Sequence, residues 1–289
     1  MHKRQFLTAA VTVFWVLSLP ILTLAAPIPF GPADSYAMSD PPYRMASGDF
    51  NGDGLPDLVT VNTNSYTIFM NNGDTRFTAT TYPISLNPSD VAVVNLDYDP
   101  HPDLVISEYQ NKVLVFGGVG DGTFTLRQSI TLSNNVNGMT AGDFNHDGLD
   151  DAAVCLSNSG KVAILMGRGD GTLSGPYYLT NTPCREITAG LVNGDGNLDL
   201  VTATSSSIYV LLGHGDGSFN NKIGFTGGSD LRGVALADIN HDGFLDAVAA
   251  SYATTAAVIL PGQRRGRLYL QQIGHRQRQA RTGPRRGLQ

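Results

Sequence analysis

After residue 26 the chain has no stretch in which apolar residues recur with the 3.6-residue period of an amphipathic helix. This excludes helical bundles and helix-flanked parallel sheets, whose layers need such faces. Cysteine is nearly missing as well: Cys155 and Cys184 are the only two, too few for a disulfide scaffold. They allow either one bridge in an oxidising compartment or two small buried side chains. The usual catalytic signatures are also missing. The six histidines form no H-E-x-x-H pair, there is no G-x-S-x-G elbow, and the run Gly117 to Gly122 lacks the helix that a phosphate loop must open. No Asn-x-Ser/Thr site has a permitted middle residue, so N-glycosylation is not expected.

Charge is scarce, at 15% of residues, and unevenly placed. Eight of the 19 basic residues (Arg264, Arg265, Arg267, Arg276, Arg278, Arg281, Arg285, Arg286) follow Leu260, where no acid occurs, so residues 1–260 hold 11 basic against 25 acidic, a net −14. An acidic body suits cations and excludes general affinity for nucleic acid. At the other end, basic Met1–Arg4 precedes the apolar run Phe6–Leu24 and small residues at Ala25 and Ala26. That order is a secretory signal peptide over residues 1–26, implying an extracellular protein with no membrane span once it is removed.

What the chain does have is glycine, 33 of them, and a repeat. DFNGDGLPD (49–57), NLDYDPHPD (95–103), DFNHDGLDD (143–151), LVNGDGNLD (191–199) and DINHDGFLD (238–246) line up, with their fifth residues 46, 48, 48 and 47 apart. Each runs into two short β-branched stretches, DLVTVN then YTIFM in the first unit and DLVISE then KVLVF in the second. In three units a Gly-Asp-Gly hairpin tip follows: GVGDGTF (118–124), GRGDGTL (167–173) and GHGDGSF (213–219). One more strand follows each tip and another leads into each Asp-rich segment. Four strands per unit of about 47 residues make an all-β fold, a β-propeller of about five four-stranded blades over residues 27–261. Phe30 to Ser47 supply the fourth strand of a blade and the first strand of the next, so that Arg232 to Leu260 would complete a ring.

These paired motifs, in register over residues 30–260, resemble the FG-GAP or VCBS repeat family, whose blades also form the heads of integrin alpha chains. Propellers of that family commonly have seven blades, about 330 residues at this period. The resemblance therefore also allows a seven-bladed propeller cut short. From Pro261 the repeat breaks: P-G-Q-R-R-G-R-L-Y stands where the glycine turn belongs. Its codons, shifted by one nucleotide, are compatible with that turn. Residues 262–289 are thus expected to be a basic, disordered tail read out of frame.

The Asp-rich segments carry the chemistry. Ca²⁺ takes six to eight hard oxygen ligands, and alternate residues of a tight loop can aim at one centre. The first loop offers Asp49, Asn51, Asp53, the carbonyl of Leu55, and Asp57. The third offers Asp143, Asn145, Asp147, the carbonyl of Leu149, and Asp151; the fifth offers Asp238, Asn240, Asp242, the carbonyl of Phe244, and Asp246. The second has Asn95, Asp97, Asp99 and Asp103 but Pro100 in the glycine position, and the fourth has Leu191 first, leaving Asn193, Asp195 and Asp199. These two are expected to bind more weakly. Position 12 of the first loop is Thr60 in an apparent strand, so no EF-hand is present. The competing explanation is that Asp and Asn merely cap turns with their own backbone bonds. The family resemblance implies calcium at these loops.

With no catalytic constellation, a non-enzymatic, monomeric binding or adhesion module for extracellular protein or carbohydrate is expected. A calcium-stabilised lectin is the second reading, and a polysaccharide-degrading enzyme the third. Arg168-Gly169-Asp170, a tripeptide integrins recognise, fills the variable slot of the repeated turn and is read as structural.

Overall fold

A computed structural model describes residues 35–262, apart from 39, 75, 85, 86 and 255. The expected signal peptide lies outside the described residues, as does the tail beyond Gly262. Every regular element described is a strand. Blade one is β1 (Pro42–Gly48), β2 (Asp57–Asn62), β3 (Ser65–Asn71) and β4 (Phe77–Pro83). Blade two is β5 (Pro88–Val94), β6 (Asp103–Glu108), β7 (Lys112–Gly118) and β8 (Phe124–Thr131), and blade three is β9 (Val136–Gly142), β10 (Asp151–Leu156), β11 (Lys161–Leu165) and β12 (Tyr177–Leu179). Blade four is β13 (Glu186–Gly190), β14 (Asp199–Ala203), β15 (Ser207–Leu211) and β16 (Ile223–Thr226); β17 (Leu231–Ala237), β18 (Asp246–Ser251) and β19 (Ala256–Leu260) form the fifth sheet. All pairs are antiparallel and sequential, giving four four-stranded sheets and one of three strands among the described residues. The β-propeller read from the repeat is the fold observed. Part of the segment expected to supply a fourth strand to the fifth sheet, from Phe30, falls outside the described residues.

The apolar runs are continuous because the middle strands of a blade are covered on both faces. β6 and β10 are buried at every position, whereas the outer β4 and β8 turn most of theirs, including Thr78, Thr80, Thr125 and Arg127, toward solvent. Between blades one and two, Val59, Val61, Tyr66 and Ile68 pack on Val91, Leu104, Ile106 and Leu114. Each fully buried side chain of this kind contributes about 1.5–3 kcal/mol. Successive inner strands β1, β5, β9, β13 and β17 lie side by side. Around them Arg44 of β1 reaches Glu186 of β13 at 2.7 Å and lies 4.0 Å from Asp90 of β5, whose other oxygen accepts the Met139 amide of β9. One guanidinium thus faces two carboxylates from different blades. Burial pushes both Asp90 and Glu186 above the usual carboxylate range, against the attraction of Arg44.

Cys155 of β10 and Cys184, just before β13, are disulfide-bonded across blades three and four, with Cα atoms 5.3 Å apart. The sequence left that pairing open; the blade junction brings the two together. Closing a 29-residue separation constrains the unfolded chain by about 3–4 kcal/mol. The Cys155→Ala/Cys184→Ala variant should therefore melt several degrees lower, and reductant should lower the wild type to match it. At the hub, Arg44→Met should cost about 1–2 kcal/mol, because Arg44 is partly solvated. That loss should be larger at pH 8 than at pH 5. Carboxyls with raised folded pKa values gain stability as they protonate, so acid removes the charge that Arg44 balances. Melting curves at both pH values check this.

Candidate functional site

The Asp-rich loops connect the inner strand of each blade to its second strand, so all five emerge at the same end of the sheets. Loops one, three and five share one backbone. The position-1 carboxylate accepts amides from across the turn: Asp49 from Gly52 (2.8 Å), Asp53 (3.2 Å) and Gly54 (2.8 Å). Asp143 accepts Asp147 and Gly148, and Asp238 accepts Asp242 and Gly243. The Gly54 amide, helped by those of Gly52 and Asp53, holds the Asp49 carboxyl below its ordinary value. Asn51, Asn145 and Asn240 each accept the amide two residues on, and Asp53, Asp147 and Asp242 accept those of Leu55, Leu149 and Phe244. Positions 4 and 6 have positive φ: 74° and 83° at Gly52 and Gly54, 61° and 86° at His146 and Gly148, and 59° and 87° at His241 and Gly243. The histidines there are loop residues in left-handed backbone.

The ninth residue does a second job that the spacing does not disclose. Asp57, Asp103, Asp151, Asp199 and Asp246 are all buried, and each carboxylate clamps two amides. One oxygen takes the amide of position 2 (Phe50, Leu96, Phe144, Val192, Ile239) and the other takes the amide at the end of the third strand or just after it (Asn71, Gly118, Gly167, Gly213, Gly262), at 2.7–3.1 Å. Gly262 thus makes the bond that Gly118, Gly167 and Gly213 make, although the sequence leaves the repeat pattern at Pro261. Each oxygen keeps a lone pair for a cation. Burial, joined by repulsion from Asp147 and Asp143, pushes Asp151 up to about 6.

Position 2 is where blades join. The glycine turn of each following blade donates into that residue's carbonyl: Gly122 to Phe50 (3.0 Å), Gly171 to Leu96 (3.2 Å) and Gly217 to Phe144 (2.9 Å). The rings of Phe50 and Phe124, and of Phe144 and Phe219, meet edge to face across the same seams. Ile239, the fifth counterpart, is 48% exposed where Phe50, Leu96, Phe144 and Val192 are buried. Asp170 of the Arg-Gly-Asp turn accepts both the amide and the hydroxyl of Thr172, so it closes its own hairpin.

Loops two and four depart from the pattern. In loop four, Leu191 leaves the position-1 acceptor missing, although Asn193 and Asp195 keep their mutual bonds. In loop two, Asn95 is bound to Asp150 of the next loop, both through its amide (2.8 Å) and through its carbonyl (2.9 Å). Neither Tyr98 nor Pro100 has positive φ. Arg127 of β8 instead places its guanidinium 2.6 Å from Asp97. Its hydrogen bond and charge outweigh the burial of Asp97 and hold that carboxyl low. The sequence reading missed Arg127, and its signal was modest: no other unit has arginine three residues after the turn's Phe or Leu.

Oxygen donors at positions 1, 3, 5 and 9 suit calcium in loops one, three and five. Among the described residues no three His, Cys, Asp or Glu side chains already form a metal cage. The fit rests on donor type and shared backbone.

Sequential antiparallel sheets of four strands, with a fifth of three, inner strands packed side by side and one Asp-rich loop per blade define a β-propeller. The FG-GAP-like repeat model matches residues 49–106, 95–154 and 192–249, more than half of the chain, and the chain belongs to that family. No curated protein matches. Among solved structures, an Agrocybe aegerita lectin that recognises non-reducing terminal N-acetylglucosamine is similar at 16% identity and TM-score 0.55, over 78% of this chain and 64% of that one. The chain therefore spans less than two thirds of the lectin. BBS1N, solved in complex with ARL6DN, is similar at 12% identity and TM-score 0.59, over 80% of this chain and 68% of its own. At these identities the likeness is one of fold.

Gly122 tests the seam. With φ at 84°, an added Cβ there would lie 2.7 Å from the Met70 sulfur. Gly122→Ala should cost about 1–2 kcal/mol, lowering Tm by a few degrees. Gly233→Ala, which meets nothing within 4 Å, should leave Tm nearly unchanged.

Proposed function

We propose that this chain is a secreted, non-enzymatic β-propeller module in which calcium stiffens the Asp-rich loops and the blade surfaces bind an extracellular protein or carbohydrate. The observation that carries calcium is the matched geometry of loops one, three and five. Three segments nearly a hundred residues apart build the same amide cradle around Asp, Asn and Asp, whereas loop four has the same left-handed positions, at Gly194 and Gly196, but no position-1 acceptor. Crowded carboxylates without a cation repel one another, so a divalent ion would stabilise all three. Export is supported by the charged and apolar order of residues 1–26 and by the Cys155–Cys184 bridge, which an oxidising compartment preserves. Among the described residues no helix is long and apolar enough to cross a membrane.

A cleft favours carbohydrate as one ligand class. At the end of the blades opposite the Asp-rich loops, Tyr43, Arg44, Asn87, Pro88, Ser89 and Tyr109 line a space of about 430 Å³ between blades one and two. Tyr43 and Tyr109 are 58% and 49% exposed, offering ring faces beside hydrogen-bonding groups. A glycan array run in calcium, with Tyr109→Ala as control, tests this; signal unaffected by the substitution excludes the cleft. For calcium, calorimetry on chelator-stripped protein should count three sites, and Asp53→Asn, Asp147→Asn and Asp242→Asn should each remove one. Saturating calcium at a hundred times Kd should add about 2.7 kcal/mol per site, seen as a higher Tm than in EDTA. Equal melting in calcium and EDTA would refute the calcium assignment.

A further inference from the structure

We infer that blade two's Asp-rich loop is closed by the guanidinium of Arg127 in the place a divalent cation takes in its sister loops, so that the seam between blades two and three is metal-independent. Three observations converge on this. The first is the loop's own backbone: Tyr98 and Pro100 are not left-handed, so the turn that carries the position-1 cradle of loops one, three and five is not made, and the backbone of Asn95 is bonded to Asp150 of the next loop instead. Proline at position 6 holds φ near −65°, so calcium cannot restore that turn.

The second is the placement of Arg127. It is the extra residue of a β-bulge: Val115 pairs with Gln128 and Phe116 with Leu126, leaving Arg127 between them. Among the described residues no other third-to-fourth strand pair of the blades carries such a shift. A bulge turns the side chain out of its ladder direction. Here it brings the guanidinium to 2.6 Å from Asp97 and 3.9 Å from buried Asp103. Guanidinium is always charged, so this countercharge does not depend on a metal ion being present.

The third is what surrounds the pair. Asp97 bridges to Gly169 and Asp170 of blade three's turn, while Gln128, next to Arg127, both donates to the Leu173 carbonyl and accepts its amide. Loop, cation and neighbouring blade are therefore one unit. The inference rests on the calcium reading for the other loops, and its test separates the two.

In EDTA, Arg127→Met should lower Tm by several degrees, because Asp97, Asp99 and Asp103 lose their countercharge. Adding Asp97→Asn should recover part of that loss. In calcium, Asp97→Asn should leave the number of bound ions unchanged, where Asp147→Asn lowers it by one. Additive losses for Arg127→Met and Asp97→Asn in EDTA overturn the inference, as does a site lost on Asp97→Asn. Should Arg127→Met not fold, Arg127→Lys and the ion count for Asp97→Asn decide it. If the wild type binds no calcium, the reading of the other loops fails while the coupling in EDTA still tests this one.

Discussion

The buried carboxylate at the ninth position of each loop holds the structure in register. A carboxylate shut away from water is costly unless its oxygens are bonded, and here one takes an amide from the loop and the other an amide at the end of the third strand. The loop cannot then shift relative to its own hairpin. Once the loop is fixed, its position-2 carbonyl points at the next blade, and the following glycine turn has a defined place to land. The regular period of the sequence is this chain of dependences repeated.

Much of this was legible in the residues. The Asp-x-Asn-x-Asp-Gly spacing placed the loops, the β-branched runs placed the second and third strands, and the Gly-Asp-Gly tips placed the hairpins, because each of those signals is local. Loops two and four were marked as different by Pro100 and Leu191, again local facts. What stayed hidden depends on residues far apart in the chain. The hub made by Arg44, Asp90 and Glu186 joins strands up to 142 positions apart, and the meeting of Cys155 with Cys184 needs two blades already packed. Arg127 stayed hidden for another reason: a one-residue bulge decides which way it points, and bulges leave little trace in composition.

The two ends of the sheets are built differently. At the loop end, polarity turns inward on amides, leaving in loops one, three and five the carboxylates of positions 1 and 5 and the amide oxygen of position 3 in similar poses. At the other end, the connections vary in length and carry exposed tyrosines at only some seams, such as Tyr43 and Tyr109. Repetition thus governs the end that holds the blades together, and variation governs the end with the cleft. That division is what permits a repeat array to keep its architecture while changing what it binds.

The bridge between Cys155 and Cys184 also has a mechanical consequence. Tension pulled along the chain passes from blade three to blade four through sulfur, bypassing the residues between, which include the third and fourth strands of blade three, β11 and β12. Those strands stay slack while blades on either side bear the load. Stretched, the array would give way at its ends first and keep its centre as a tethered knot.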